Sequence, residues 1–197
     1  METIISTTKI TSLECFTSLA NEIIKKYCIV CGDKKYRFAE IEFYYYDKNN
    51  KLFNEEWNHR TYPRTGKKAG ELFFHYSGVD ICFDSSFDAG HFGGILIRSL
   101  FDEEENHYIT GPLLCANEIL NACSSEKKWP TIEPSMERDC EIETTKRYGI
   151  FDVDLCFFDK GIKEHLINTF EMASWDFKNQ CSKKLTRNYS NRFKNGD

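Results

Sequence analysis

From Leu13 the apolar residues recur at three- and four-residue intervals, through Phe16, Leu19, Ile23 and Ile24, which predicts an amphipathic helix capped by Ser12 and ending near Lys26. The period then drops to two. Tyr27 to Val30 and Tyr36 to Tyr46 read as strands of an antiparallel hairpin turned at Gly32-Asp33-Lys34-Lys35. Residues 47–70 hold no period and read as a long loop, a length that in a compact domain usually carries function. Glu71 to Phe83 reads as one strand interrupted at Gly78 by a bulge or a close backbone approach. Gly93 to Phe101 is a further strand, followed by an acidic turn from Asp102 to Glu105. Gly111-Pro112 then opens a helix patterned on Leu113, Leu114, Ile119 and Leu120. Residues 124–139 read as loop, Tyr148 to Phe158 as strand, and Lys163 to Trp175 as helix. The order predicts one α+β domain over residues 1–177, a curved, largely antiparallel sheet with flanking helices. A basic tail, 178–197, follows with six basic residues and one acidic.

Composition narrows the class without naming a chemistry. The 197 residues include sixteen Phe and ten Tyr, enough to exclude a disordered chain of low hydrophobicity. A formal charge of −5 excludes a uniformly basic nucleic-acid glove but leaves room for a local basic groove. No window approaches 18 uncharged apolar residues, and METIISTTKI lacks the charged and apolar regions of a signal peptide, so a soluble, cytoplasmic protein is expected. Nine cysteines, an odd number without the density of a small secreted domain, then read as reduced thiols serving as small apolar side chains. The one CxxC, Cys28 to Cys31, has no second pair at metal spacing and fits a half-buried strand, so no metal is expected.

Three places break the pattern of a plain core. Alternation along Arg37–Asp47 sets Glu40, Glu42, Tyr44 and Tyr46 on one face and Ala39, Ile41, Phe43 and Tyr45 on the other. By pattern alone the first face is a solvated outer one. Arg98 interrupts the apolar run GILIRSL, and a guanidinium there needs an anionic partner because its desolvation is expensive. Taken singly it reads as half of a structural salt bridge. Residues 58–70 carry Arg60, Arg64, Lys67 and Lys68 with no acid, the pattern of a solvated loop.

In series these segments resemble the alkylpurine (3-methyladenine) DNA glycosylase family. Its strand R-I-V-E-T-E-A-Y is matched by Arg37-Phe38-Ala39-Glu40-Ile41-Glu42-Phe43-Tyr44, and its histidine-bearing loop by His59-Arg60-Thr61-Tyr62-Pro63-Arg64. Ala69 to His75 and Tyr76-Ser77-Gly78 are similar to its P-G-x-L-Y-V-Y strand and following Y-G. Ile95 to Leu100 resembles its V-L-L-R-A-L, Gly111-Pro112 its G-P before a helix, and Thr145 to Ile150 its T-P-R-I-G-I. The series runs from about residue 13 to 150 and is densest between 36 and 120.

The resemblance implies the fold that this family shares with formyltransferase C-terminal domains. It also implies excision of an alkylated or deaminated purine flipped out of duplex DNA, without metal or organic cofactor, by a monomer. Glu42 matches the general base that activates water, and Arg98 the arginine beside that water. Tyr44, His59, His75 and Asp84 fall at base-pocket positions, and Arg60, Arg64, Lys67, Lys68 and Tyr76 at the DNA-facing surface. There are departures. His75 stands where the family has a stacking tyrosine, Asp84 where it has asparagine, and Ser77 where a tyrosine should wedge into the stack. Tyr76 is adjacent but would point the other way along a continuous strand. With the negative net charge, these departures keep two alternatives open: a relative acting on a free nucleoside or other small purine-like ligand, and a non-catalytic interaction protein.

Overall fold

A computed structural model of the chain describes residues 10–51, 53, 68–83, 85, 86, 88–145 and 155–166. In chain order the elements are α1 (Leu13–Lys26), β1 (Tyr27–Cys31), β2 (Lys34–Asp47), β3 (Leu72–His75), β4 (Gly78–Cys82), β5 (His91–Asp102), β6 (His107–Thr110), α2 (Pro112–Glu126), β7 (Thr131–Pro134), β8 (Ile142–Thr145) and β9 (Cys156–Asp159). A third helix, α3, follows over residues 160–166. The helix α1 and the β1–β2 hairpin fall where the periodicity puts them, and the domain is α+β as expected.

All pairings in the nine-stranded sheet are antiparallel. The strand order is β3-β4-β5-β2-β1-β7, with β6 added to β5 and the β8–β9 pair added to β2. One side of the sheet holds the main core. There α1 buries Phe16, Leu19, Ala20, Ile23 and Ile24, its i, i+3, i+4, i+7 stripe. The helix α2 adds Cys115, Ala116, Ile119, Ala122 and Cys123 to the same cluster. Glu14 in the first turn of α1 and Lys25 and Lys26 in its last complement the helix dipole.

Several expectations are corrected. Glu71 to Phe83 is two strands, not one: β3 and β4 pair with each other from Leu72↔Ile81 to His75↔Gly78, so the chain reverses at Tyr76-Ser77. Gly78 permits this with φ +152, and a Cβ there would meet Pro112 Cβ at 2.9 Å. Residues 124–139 are not all loop, because α2 runs to Glu126 and Thr131–Pro134 pairs with β1. Short strands β6 to β8 carry too few apolar residues to show a period; their pairing comes from the neighbouring strands rather than their own sequence. The expected 148–158 strand is described only from residue 155 on, and the 178–197 tail lies outside the described residues.

The sheet is irregular where β2 crosses β5, with register shifts between Phe38 and Glu40 and again between Glu40 and Ile41. Tyr36 and Phe38 belong to the main core, and so do Ile41, Phe43 and Tyr45. The parity therefore switches between them, and Ala39 joins Phe158, Ile162 and Leu166 in a second cluster. This corrects the simple alternation, which put Ala39 with Ile41. On β5 the same switch lies between Ile97 and Leu100, both core residues. Each strand thus presents two successive side chains to the side away from the main core, as a bulge does.

Gly93 pins the crossing. A Cβ there would stand 2.5 Å from the Tyr44 carbonyl oxygen and 2.9 Å from the Phe83 ring. Backbone cannot yield as a flexible side chain can, so Gly93→Ala is expected to destabilise the fold by about 1–3 kcal/mol, the range for overpacking. Urea denaturation of the variant checks this.

A candidate active site on the β2–β5 crossing

The side of the sheet opposite the main core carries Glu40, Glu42, Tyr44, Leu96, Arg98 and Ser99. Directly opposed residues share a face, and Glu42 is opposed by Leu96, which is opposed in turn by Asp80. Phe73 of β3 opposes Asp80, and Cys156 of β9 opposes Glu42 on its other flank. One row across the sheet therefore runs Phe73, Asp80, Leu96, Glu42, Cys156.

Glu42 is 1% exposed and Glu40 5%. This overturns the solvated-face reading of the β2 pattern. Arg98 makes the burial possible: Nη1 donates to Glu42 Oε2 at 2.6 Å, and Nε donates to Glu40 Oε1 at 3.2 Å. The Tyr44 hydroxyl donates to Glu42 Oε1 at 2.7 Å. Burial opposes the charge on Arg98, but the Glu40 and Glu42 carboxylates outweigh it and hold its pKa above the ordinary value. The guanidinium stays cationic at any working pH, held between the two carboxylates. Residues 58 and 56 positions apart in the chain meet because β2 and β5 are neighbours.

His75 lies on the same side of the sheet, with its ring stacked on Phe73 at 6.0 Å between centroids. The backbone N–H of Ser77 donates to its Nδ1 at 3.3 Å, so Nε2 carries the proton and donates to Asp80 Oδ1 at 3.2 Å. Gly94, opposite Tyr44 in register, has no side chain to stand between Tyr44 and Asp80. The Asp80 carboxylate leans over it, and a Cβ there would meet Asp80 Oδ2 at 3.2 Å. The face thus groups two hydrogen-bonded acid centres, Glu40–Arg98–Glu42 and Asp80–His75, with aromatic rings from Tyr44, Phe73 and His75.

Of the expected site residues, Glu42, Arg98 and Tyr44 are in direct contact, and His75 shares their side of the sheet. Tyr76 is 94% exposed at the tip of the β3–β4 hairpin. It does not point inward along a continuing strand, because no strand continues there. Lys68 is exposed beside β3. His59, Arg60, Arg64, Lys67 and Asp84 lie outside the described residues. Asp80, Ser99, Phe73 and Cys156 were not singled out from the sequence. Asp80 and Phe73 share parity with His75 once the turn at Tyr76-Ser77 is known, whereas Ser99 and Cys156 carry no pattern of their own. His165 of α3 is half-buried, with its ring 5.1 Å from that of Tyr108.

Among the described residues no group of three or more His, Cys, Asp or Glu side chains could hold a metal ion, and the eight described cysteines are free thiols. No described helix is long and apolar enough to cross a membrane. No family model, curated protein or solved structure matches the chain.

Proposed function

We propose that the chain is a monofunctional DNA glycosylase that hydrolyses the N-glycosidic bond of an alkylated or deaminated purine, on a fold of the alkylpurine glycosylase kind. The observation that carries this reading is the Arg98–Glu42 ion pair, made between β2 and β5, with the Tyr44 hydroxyl on the other oxygen of the same carboxylate. In the proposed step Glu42 takes a proton from water and the hydroxide adds to the sugar C1′. The C1′–N bond breaks with its electron pair leaving on the purine, so the products are the free base and an abasic sugar. A purine made cationic by alkylation leaves neutral, and a face richer in carboxylates than in guanidinium favours a positively charged base. Aromatic side chains on the same face suit a flipped base by stacking.

Tyr76 supports duplex DNA as the substrate. Its ring, exposed at the tip of the β3–β4 hairpin, is free to fill the stack vacated by a flipped nucleotide. The formal charge of −5 favours the rival reading, a free nucleoside as substrate. Salt separates the two, because binding through phosphates weakens steeply as salt rises and capture of a neutral purine does not.

The direct test is excision. Incubating the full chain, in excess over lesions, with duplexes carrying 3-methyladenine, 7-methylguanine or hypoxanthine is expected to yield alkali-labile abasic sites on at least one of them. No abasic site on any duplex overturns the proposal.

A further inference from the structure

Glu40 is a second buried carboxylate that the hydrolytic step leaves without a role. Its Oε1 accepts from Arg98 Nε at 3.2 Å and from the Cys156 thiol at 3.3 Å, and its Oε2 accepts from the Ser99 hydroxyl at 3.0 Å. Three donors from two other strands on one carboxylate are more than an ion pair needs. The paired irregularity of β2 and β5 makes this possible, since it turns Arg98 and Ser99, neighbours in sequence, to the same side of the sheet.

We propose that Glu40 is a positioning residue, anchoring Arg98 through Nε so that the guanidinium engages Glu42 through Nη1 instead of closing its fork over both Glu42 oxygens. The consequence for Glu42 follows from hydrogen-bond chemistry. A guanidinium is a planar fork suited to bidentate capture of a carboxylate. Each added charge-assisted hydrogen bond favours the ionised form and makes a poorer base. Dividing the fork between two carboxylates leaves Glu42 with one charge-assisted hydrogen bond from Arg98 instead of two. The charged and titratable groups facing this centre are Arg98 from β5, Glu40 and Tyr44 from β2, Cys156 from β9, and Asp80 with His75 from β4 and β3; Cys115 of α2 lies across the sheet in the main core, within electrostatic reach of Glu40. Burial, with Glu40 adding to it, pushes the Cys115 thiol up to about 12, so it stays neutral through any assay.

The proposal rests on the glycosylase reading for its kinetic consequence but not for its structural one, and two readouts keep them apart. In the first, the carboxyl carbon of Glu42 is followed by NMR as a function of pH in the parent chain and in Glu40→Gln. The titration midpoint is expected to lie lower in the variant, and also in Glu40→Asp, which keeps the neighbouring negative charge but is one methylene too short to hold Arg98 Nε, so that the drop there reports the fork turning onto Glu42 and not the lost charge. An unchanged or higher midpoint overturns the positioning role, whatever the chain does to DNA. In the second, single-turnover excision by Glu40→Gln is expected to fall about tenfold to a hundredfold, a part of the roughly 10²–10⁴ that a positioned general base supplies. Affinity for the lesion duplex should hold within twofold, and the acid limb of the rate profile should move to lower pH. Parent-like excision with an unmoved acid limb overturns the role. A parent chain that excises nothing ends the glycosylase reading and leaves the NMR titration to decide Glu40. Should Glu40→Gln not fold, Ser99→Ala removes one anchor without touching a charge. It is expected to shift the Glu42 midpoint in the same direction by a smaller amount, and an unmoved midpoint there overturns the role in turn.

Discussion

Glu42→Gln is expected to lower single-turnover excision by a factor of about 10²–10⁴, the contribution of a positioned general base, while the fold and lesion binding survive. The amide is isosteric with the carboxylate. Its oxygen can still accept from Arg98 Nη1, and the Tyr44 hydroxyl can rotate to accept from the amide nitrogen, so neither partner in the present 2.6 Å and 2.7 Å contacts is orphaned. Arg98 keeps an anionic partner in Glu40. The loss in stability should therefore stay near that of one weakened charge-assisted hydrogen bond, about 1.5–3 kcal/mol, read by urea denaturation. What the amide cannot do is take a proton from water. Full excision by Glu42→Gln would remove Glu42 as the base. If some other activity of the chain were found to survive this change while large substitutions at Tyr44 or Phe73 abolished it, the face would be a binding surface and not a catalytic one.

How much of this was readable in advance follows from where each signal lives. The helix α1 and the β1–β2 hairpin announce themselves because their own residues bury one stripe or one face, and burial imposes its period on the sequence. The β3–β4 hairpin reads as a single strand because its turn, Tyr76-Ser77, uses no glycine, proline or asparagine inside the turn; Gly78 comes one position later, as the first residue of β4. The irregular crossing of β2 and β5 is invisible for a similar reason. Ala39 can occupy either face without breaking the pattern, so alternation runs through it undisturbed. The candidate site lies between. Glu42 and Arg98 stand out as charges in apolar surroundings, and each demands a partner, but a sequence states the demand and not the answer. Only the strand order, with β2 beside β5, makes them partners. Glu40 has the same charge and spacing as Glu42, and nothing in the sequence separates the base from the residue proposed to hold Arg98.

Arg98→Met is expected to be the most damaging single change to the fold. It keeps the volume of the side chain's stem and removes the charge, which leaves Glu40 and Glu42 as like charges on one strand at 5% and 1% exposure. Breaking a buried ion pair by removing one partner costs about 3–5 kcal/mol, because the remaining charge is uncompensated; here two carboxylates are stranded. The pH dependence identifies the cause. In the parent chain Arg98 holds its charge at every accessible pH, since its pKa is raised by the two carboxylates against the opposing effect of burial. In the variant, desolvation and mutual repulsion favour the protonated carboxyls, so their folded-state pKa values rise above those of the unfolded chain, which are about 4.3 for glutamate. A group shifted upward on folding contributes its full stability below the unfolded pKa and loses it as the pH climbs through the folded one. The deficit of Arg98→Met relative to the parent should therefore be largest near pH 7.5 and shrink toward pH 4.5, measured as the difference in urea midpoints at each pH. A deficit that stays constant with pH would mean the loss is one of packing around the Arg98 stem. In that case the two carboxylates would owe nothing to the guanidinium between them.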